Sequence, residues 1–505
     1  NPKVLGVMEN LFKNNTCLAN LPAFSLDVFM FNEPYPEDGS KEEQAKWCVA
    51  REEHWGDWFK SEQHRCRLLV RLNLAKELSK YEFWYMPYTL DFRGRAYSTC
   101  ELLSCQGSDL DVGLIMFAEP RQQTTGGVRW LKIHIANLFD EDKGSFADRV
   151  KWVDDNIEML RAINNDPYEN KEWVSDKTKK NPSFQRLAAI FDLFREDGLT
   201  QVPVQVDGAC NGSQHWSSIM RDEVIAKLTN VDVNDLPQDL YQFIADKVTV
   251  FCDKTKEEVS LYDDFLVHWK HKIPRKVTKR STMCEPYGLT FYGIQRYLKT
   301  EGHLDWMPKD SQNAAITELA RAIKAGLEES LVMPNKGKEY LRKIGEIASN
   351  LNEHIVYTTP SGFRVVHAYF KPTKRRSFAE LFNKKELIFA THSQTDVDRK
   401  AVMQAISPNW IHSLDASHLF CTVYRAIMNG MYQFSMVHDS YGCPAPDMDL
   451  LVPFIREEFY EMHKEDQLQR LKEDVEEQLG LSLPELPERG QFEIERVLRS
   501  DYLFA

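Results

Sequence analysis

The chain has 505 residues, 43% hydrophobic and 28% charged, which is enough to bury substantial cores and excludes a fibrous or compositionally disordered protein. A formal net charge of −13 excludes a basic coat over the whole surface, so charge has to be read segment by segment. No run approaches the roughly 18 apolar residues of a membrane span, and the ten cysteines include no CxxC pair and no His cluster at zinc spacing. The start, NPKVLGVMENLFKNN, lacks the charged-then-apolar layout of a secretion signal, so an intracellular, reducing setting is expected. Residue 1 is Asn, so a processed chain or a fragment is expected.

In chain order, residues 1–15 predict a short helix, and the Pro-, Gly- and acid-rich run Phe31–Ser40 predicts a linker. From Lys41 to about Lys80 apolar residues recur at helical spacing, with Arg65, Arg67, Arg71 and Lys76 among them. This predicts a long amphipathic helix, either solvated or laid against a phosphate backbone. In YMPYTLDFRGRAYS, Tyr85–Ser98, Arg93 and Arg95 read as unpaired charges on a half-buried strand among aromatics, equipment for gripping phosphates and stacking bases. Trp130–Phe139 reads as an apolar helix in which Lys132 either snorkels outward or serves a site.

Next, QVPVQVDGACNGSQHW alternates Val202, Val204 and Val206 with polar residues, a strand whose Pro203 marks an edge or a start. Asp207 ends it, and Gly208 and Gly212 allow a ligand close to the backbone. Downstream, HWKHKIPRKVTKRSTMCEPYG is the most basic segment. With Pro274 opening a helix, Arg275, Lys279 and Met283 fall on one face, two cations side by side for a triphosphate, and Tyr287 follows one turn later. A plain solvated basic face is the alternative.

Residues 313–331 predict a helix, and within 356–390 the run TTPSGF marks a hairpin, with Lys371, Lys374, Arg375 and Arg376 clustered beside aromatics. Arg forks on such a ribbon can read major-groove edges. Tyr432–Val437 has strand character, and Gly442 and Pro444 follow, so Asp439 of MVHDSYG sits on a tight turn. Asp207 and Asp439, at the ends of neighbouring strands, could jointly hold two divalent ions about 3.5–4 Å apart and clamp the oxygens of a phosphoryl transfer. Residues 465–479 predict an acidic helix ending at Gly480.

DFRGRAY, DGACNGSQHWSSIMRDE, RKVTKRSTMCEPYG, SPNWIHSLDASHL and VHDSYG occur in the order and approximate spacing of the motifs of single-subunit DNA-dependent RNA polymerases of the phage and mitochondrial type, and the terminal SDYLFA resembles that family's C-terminus. The resemblance covers nearly the whole chain. It implies a helix-rich mixed α/β right-hand fold with thumb, palm and fingers, the palm an antiparallel sheet with flanking helices. Its implied divisions are a remnant of an N-terminal region at 1–23, the thumb at 24–81, and palm at 82–235 and 413–505. The fingers are expected at 236–412, with a candidate promoter-specificity hairpin at 355–390.

The activity implied is DNA-templated RNA synthesis from NTPs with two Mg²⁺ ions, held by Asp207, Asp439 and the Gly208 carbonyl. Lys279, with a catalytic role, Arg275 and Lys132 are assigned to the triphosphate, and Tyr287 and His412 to the ribose side. Gly212 stands where similar DNA polymerases carry a bulky acid that blocks a 2′-OH. Arg93, Arg95, Tyr97, Gly288, His438, Arg375 and Arg376 are assigned to nucleic acid. A DNA polymerase of the same palm architecture and a non-catalytic nucleic-acid-binding subunit are the rival readings. DNA template, RNA transcript and NTPs are the expected partners, with no membrane. A second polypeptide supplies the family's missing N-terminal domain, or else the chain is truncated. The expected location is the cytoplasm, that of the infected host for a phage protein, ahead of the mitochondrial matrix. Two departures stand out: Pro286, whose ring would clash with the Thr282 carbonyl inside a helix and is expected to kink it early, leaving the pose of Tyr287 open, and Glu285, a negative charge where the triphosphate should lie.

Overall fold

A computed structural model describes residues 1–24, 31–174, 182–377 and 387–505; within these, the side chains of 373–377 and 387–394 lie outside the description. The fold is a helix-rich mixture of α and β in which every described strand pairs antiparallel in a small sheet. Helix α1 (Pro2–Lys13) and the long α2 (Lys41–Leu78) fall where hydrophobic spacing places them. Ser40 and Glu43 form a reciprocal capping box that fixes the start of α2. Arg71, one of the cations expected along a nucleic-acid arm, is instead buried against Asp111, donating from Nε at 2.6 Å and Nη2 at 3.0 Å.

The strand expected around Arg93 and Arg95 is a hairpin, β1 (Tyr88–Leu90) and β2 (Ala96–Ser98), with both arginines in or beside its turn. Helix α3 (Thr125–Leu138) packs near β3 (Pro203–Asp207), which leads into α4 (Asn211–Met220). Then come α5 (Leu240–Thr255), α6 (Arg275–Cys284), α7 (Lys309–Ser330) and α8 (Val332–Asn350). Two hairpins follow, β4 (Ile355–Thr358) with β5 (Arg364–His367), and β6 (Phe370–Ser377) with β7 (Leu387–Val397). Helix α9 (Arg399–Met428) leads to β8 (Ser435–Val437) and β9 (Ser440–Pro444), and α10 (Met448–Lys464) and α11 (Gln467–Leu479) close the chain's helical order.

The sheet that matters runs β8-β9-β3. Pro203 opens β3, which lies at the sheet edge, so its missing N–H breaks no central ladder. Register pairs Val206 with Tyr441 and Val204 with Cys443, and all four side chains are buried on one face. Gly442 faces Gln205 on the other; a Cβ there would stand 2.6 Å from the Ser435 carbonyl. The same register places Asp207 opposite Ser440, the neighbour of Asp439.

Two hydrophobic cores result. The larger joins α1–α4, the β8-β9-β3 sheet and α8–α11; the smaller is built from α5, α6, α7 and the helices between them. Pro286 does not kink α6. The helix stops at Cys284, Pro286 sits in a single 3₁₀ turn, Glu285–Tyr287, and Gly288 (φ +82°) ends it in the left-handed region. Glu285 is turned away from the cleft and bonded to Lys338 of α8, whose Nζ donates to Oε1 at 2.5 Å and to the Glu285 carbonyl at 2.8 Å.

Candidate active site

A cleft of about 930 Å³ opens between the two cores. Its floor is the end of the central sheet. Asp439 occupies the two-residue turn between β8 and β9, where His438 takes φ +52°, and its carbonyl accepts the Gly208 N–H at 3.4 Å. On the neighbouring strand Asp207 is exposed to the cleft, and its carbonyl accepts the Ala505 N–H at 3.2 Å. The period of β3 puts the valines inward and the sheet end presents both acids.

Burial raises the Asp439 carboxyl above the ordinary carboxylate range, and the field of Arg95 opposes this only in part. A divalent cation would supply the missing counter-charge. The donors are hard oxygens, and among the described residues no third His, Cys, Asp or Glu clusters with them. Two carboxylates and a backbone carbonyl therefore fit a cation that keeps several positions for water or phosphate.

One wall is the cationic face of α6. Arg275, Lys279 and Met283 all line the cleft, as their four-residue spacing predicts. Arg275 donates from Nε to Asp239 at 2.5 Å, and its guanidinium lies 5.0 Å from the Tyr241 ring centre, with Lys279 Nζ at 5.8 Å. Asp239 also caps α5 through the N–H groups of Tyr241 and Gln242. Lys132, expected beside these cations, is not among the residues lining the cleft; it is paired with Asp154. The lining cations from that part of the chain are Lys143 and Arg149. Arg149 is buried, donating to the carbonyls of Gly144 and Asp142 and to Asn137. The legible signal for them was the Ser145–Asp148 capping box, which marks a helix start immediately after Lys143.

A second part of the lining carries Gly212, Tyr287 and His412, brought together as expected, with the Tyr287 and His412 ring centres 4.7 Å apart. A Cβ on Gly212 would stand 2.9 Å from the Tyr287 hydroxyl and 2.8 Å from Pro286 Cβ, so any side chain there displaces the tyrosine. The Pro286 carbonyl accepts from Trp216 Nε1 at 3.0 Å and Ser407 Oγ at 3.1 Å, which pins the turn that holds Tyr287.

Arg93 and Arg95 are not the unpaired charges expected. Arg95 donates from Nε to Asp415 at 2.9 Å and from Nη2 to its other oxygen, and Asn211 reaches the same carboxylate at 3.4 Å. Asp415 is fully buried, which pushes its carboxyl up to about 7 against the pull of Arg95. Arg93 is held by Asp91, which accepts from Nε at 2.8 Å and Nη2 at 2.6 Å, and it reaches His412 Nδ1 at 2.7 Å. Asp91, Asn211, Asp239 and Asp415 escaped sequence reasoning, although Asp415 stands in the SLDAS run.

Tyr97 and His438 lie together, rings 4.7 Å apart, and neither is among the residues lining this cleft; His438 borders an adjoining apolar hollow of about 260 Å³ that shares Arg95 with it. Gly288 is exposed outside the cleft lining. The backbone of Arg375 and Arg376 is in β6, but their side chains, and the hairpin tip at 378–386, lie outside the described residues.

The family profile described as DNA-dependent RNA polymerase matches residues 121–483. Over its whole length the chain is 31% identical to DNA-directed RNA polymerase 1, mitochondrial, of Arabidopsis thaliana, of which it covers 52%. It is 30% identical to DNA-directed RNA polymerase 2, chloroplastic/mitochondrial, of the same plant, covering 50%, and 30% identical to DNA-directed RNA polymerase 3, chloroplastic, of Nicotiana sylvestris, covering 52%. The chain thus spans about half the length of the curated relatives it matches. Sequence motifs, profile and full-length likeness agree: this chain belongs to the DNA-dependent RNA polymerase family.

Proposed function

We propose that this chain carries the nucleotidyl-transfer centre of a DNA-directed RNA polymerase, extending RNA on a DNA template from NTPs. The observation that carries this reading is the meeting, in one cleft, of two carboxylates on adjacent strands with the Arg275–Lys279 face of α6. Asp207 and Asp439, with the Gly208 carbonyl, would hold two Mg²⁺ ions, which when bound favour loss of the RNA 3′-OH proton and stabilise charge on the leaving pyrophosphate. Arg275 and Lys279 bind the triphosphate, and Lys143 takes the place first given to Lys132. Tyr287 and His412 receive the ribose. No side-chain nucleophile is required, because positioning and charge neutralisation carry the transfer.

RNA rather than DNA synthesis is favoured by Gly212, whose bare Cα leaves Tyr287 its place at the cleft. In this reading the central sheet and its helices are palm (82–235 and 413–505), the smaller core belongs to fingers (236–412), and α2 lies in a thumb (24–81). The β6–β7 hairpin remains a candidate reader of duplex promoter. The relatives' names make an organelle the proposed location in place of the cytoplasm. The remaining half of the relatives' length has its counterpart in a longer form of this polypeptide or in a second one. Extension of an RNA primer on a DNA template, with each nucleotide set and with Mg²⁺ or EDTA, tests the function. Mg²⁺-dependent use of NTPs over dNTPs is expected, and preferential dNTP use would contradict it.

A further inference from the structure

We propose that Arg93 is a positioning residue that locks His412 in the tautomer with its proton on Nε2, making His412 a hydrogen-bond donor into the cleft. The inference rests on the polymerase reading for its ligand but not for its geometry. A guanidinium carries only donors. With Arg93 Nη1 at 2.7 Å, His412 Nδ1 must therefore accept through its lone pair, and the proton of the neutral ring is on Nε2. The other tautomer would set N–H against N–H. Burial, with Arg95 and Arg93 adding their charge, pushes His412 down to about 2, so the ring is neutral at working pH.

The arginine is itself fixed. Asp91 accepts from its Nε and Nη2 through one oxygen, and from the backbone N–H groups of Arg93 and Arg95, at 2.9 and 3.1 Å, through the other. Gly94, at φ +93°, lets the hairpin turn close around this carboxylate, and Arg93 Nη2 also donates to Tyr97 at 3.2 Å. The DFRGR turn thus holds Arg93 against the imidazole while Arg95 of the same turn is bonded to Asp415. Among the described residues no protein group is bonded to His412 Nε2, and the ring lines the cleft beside Tyr287.

A donor in that place seeks an acceptor on the nucleic acid, either the ribose 2′-oxygen or a minor-groove acceptor of the base. Minor-groove acceptors recur in every base pair. A fixed donor therefore checks position without reading sequence, which an enzyme copying any template requires.

Two readouts on the full 505-residue chain test this. With ¹⁵N-labelled histidine, and His412→Gln to assign the signal, the wild type should show Nε2–H and an unprotonated Nδ1 between pH 6 and 8. Arg93→Met should give a tautomer mixture, and Arg93→Lys, which restores a donor, should recover Nε2–H. A wild-type ring protonated on Nδ1, or on both nitrogens, overturns the proposal. In primer extension, removing the matched acceptor should cost the wild type about tenfold in kcat/KM, the scale of one hydrogen bond. A 2′-deoxy arm and a 3-deazapurine arm distinguish the two acceptors. Arg93→Met should lose about as much with natural nucleotide and little more with the analogue. Full additivity in both arms contradicts the proposal. A wild type that extends nothing sinks the polymerase reading alone, since the tautomer readout still decides the Arg93–His412 pair. If Arg93→Met fails to fold, Asp91→Ala, which removes both oxygens that hold Arg93, gives the same two readouts.

Discussion

The two walls of the cleft are built differently. On the Tyr287–His412 side, Asp91, Arg93, Arg95, Asn211, Asp415 and His412 form one hydrogen-bonded network, and Trp216 and Ser407 separately pin the Pro286 carbonyl. On the α6 side, among the described residues, Arg275 is bonded to Asp239 and Arg280 to Glu301, and the supporting core is the smaller one. In the proposed reading this contrast divides the work: the networked side holds the sugar and the base pair in place, and the cations of α6 meet the triphosphate.

Asp415→Ala leaves Arg95 a buried charge without its partner, and should destabilise the fold by about 3–5 kcal/mol in urea titrations. A surface-like loss below about 1 kcal/mol would show that the wall is not rigid. Arg275→Ala or Lys279→Ala should leave the urea midpoint nearly unchanged and lower kcat/KM for NTPs about a hundredfold, the cost of a charge clamp lost in the transition state.

Acid should weaken the larger core first. His134, His367 and His418 are buried and each is pushed down to about 4, below the ordinary histidine value. The unfolded chain therefore takes up protons that the folded one refuses, so stability is intact above pH 6.5 and is lost as pH falls toward 4, by about 1–2 kcal/mol per ring at pH 5. Hydrogen exchange at pH 7 and pH 5 should show the change in the central sheet and α9, and less in α5–α7. The smallest effect belongs to Tyr287→Phe, which should reduce NTP over dNTP preference about tenfold with little change in kcat for NTPs, as measured by paired extension rates.

Much of this was legible in the sequence because it is local. Alternating valines placed β3, the His438–Asp439 turn needed only a strand followed by Gly442 and Pro444, and the spacing of Arg275, Lys279 and Met283 follows from a helix. Pro286 announced the end of α6, though as a clean stop in a 3₁₀ turn and not as a kink. What failed is what depends on distance through space. Arg95 meets Asp415 across 320 positions and Arg93 meets His412 across 319, whereas Asp91, the charge partner of Arg93, stands only two residues away and was legible. Glu285 looked like an obstacle until Lys338 of α8 supplied its partner. Lys132 stands out in an apolar helix, but that helix directs it to Asp154, while Lys143 reaches the cleft from just ahead of a capped helix start.

The central claim is that Asp207 and Asp439 act as a pair that holds metal for nucleotidyl transfer. Asp207→Asn and Asp439→Asn, assayed side by side for primer extension and for binding of the same primed template, test it most directly. Each should lower extension by at least about a thousandfold while template affinity stays within a few-fold, since the change removes metal-holding charge and spares the cationic wall. Extension within tenfold of the wild type in either variant would contradict it.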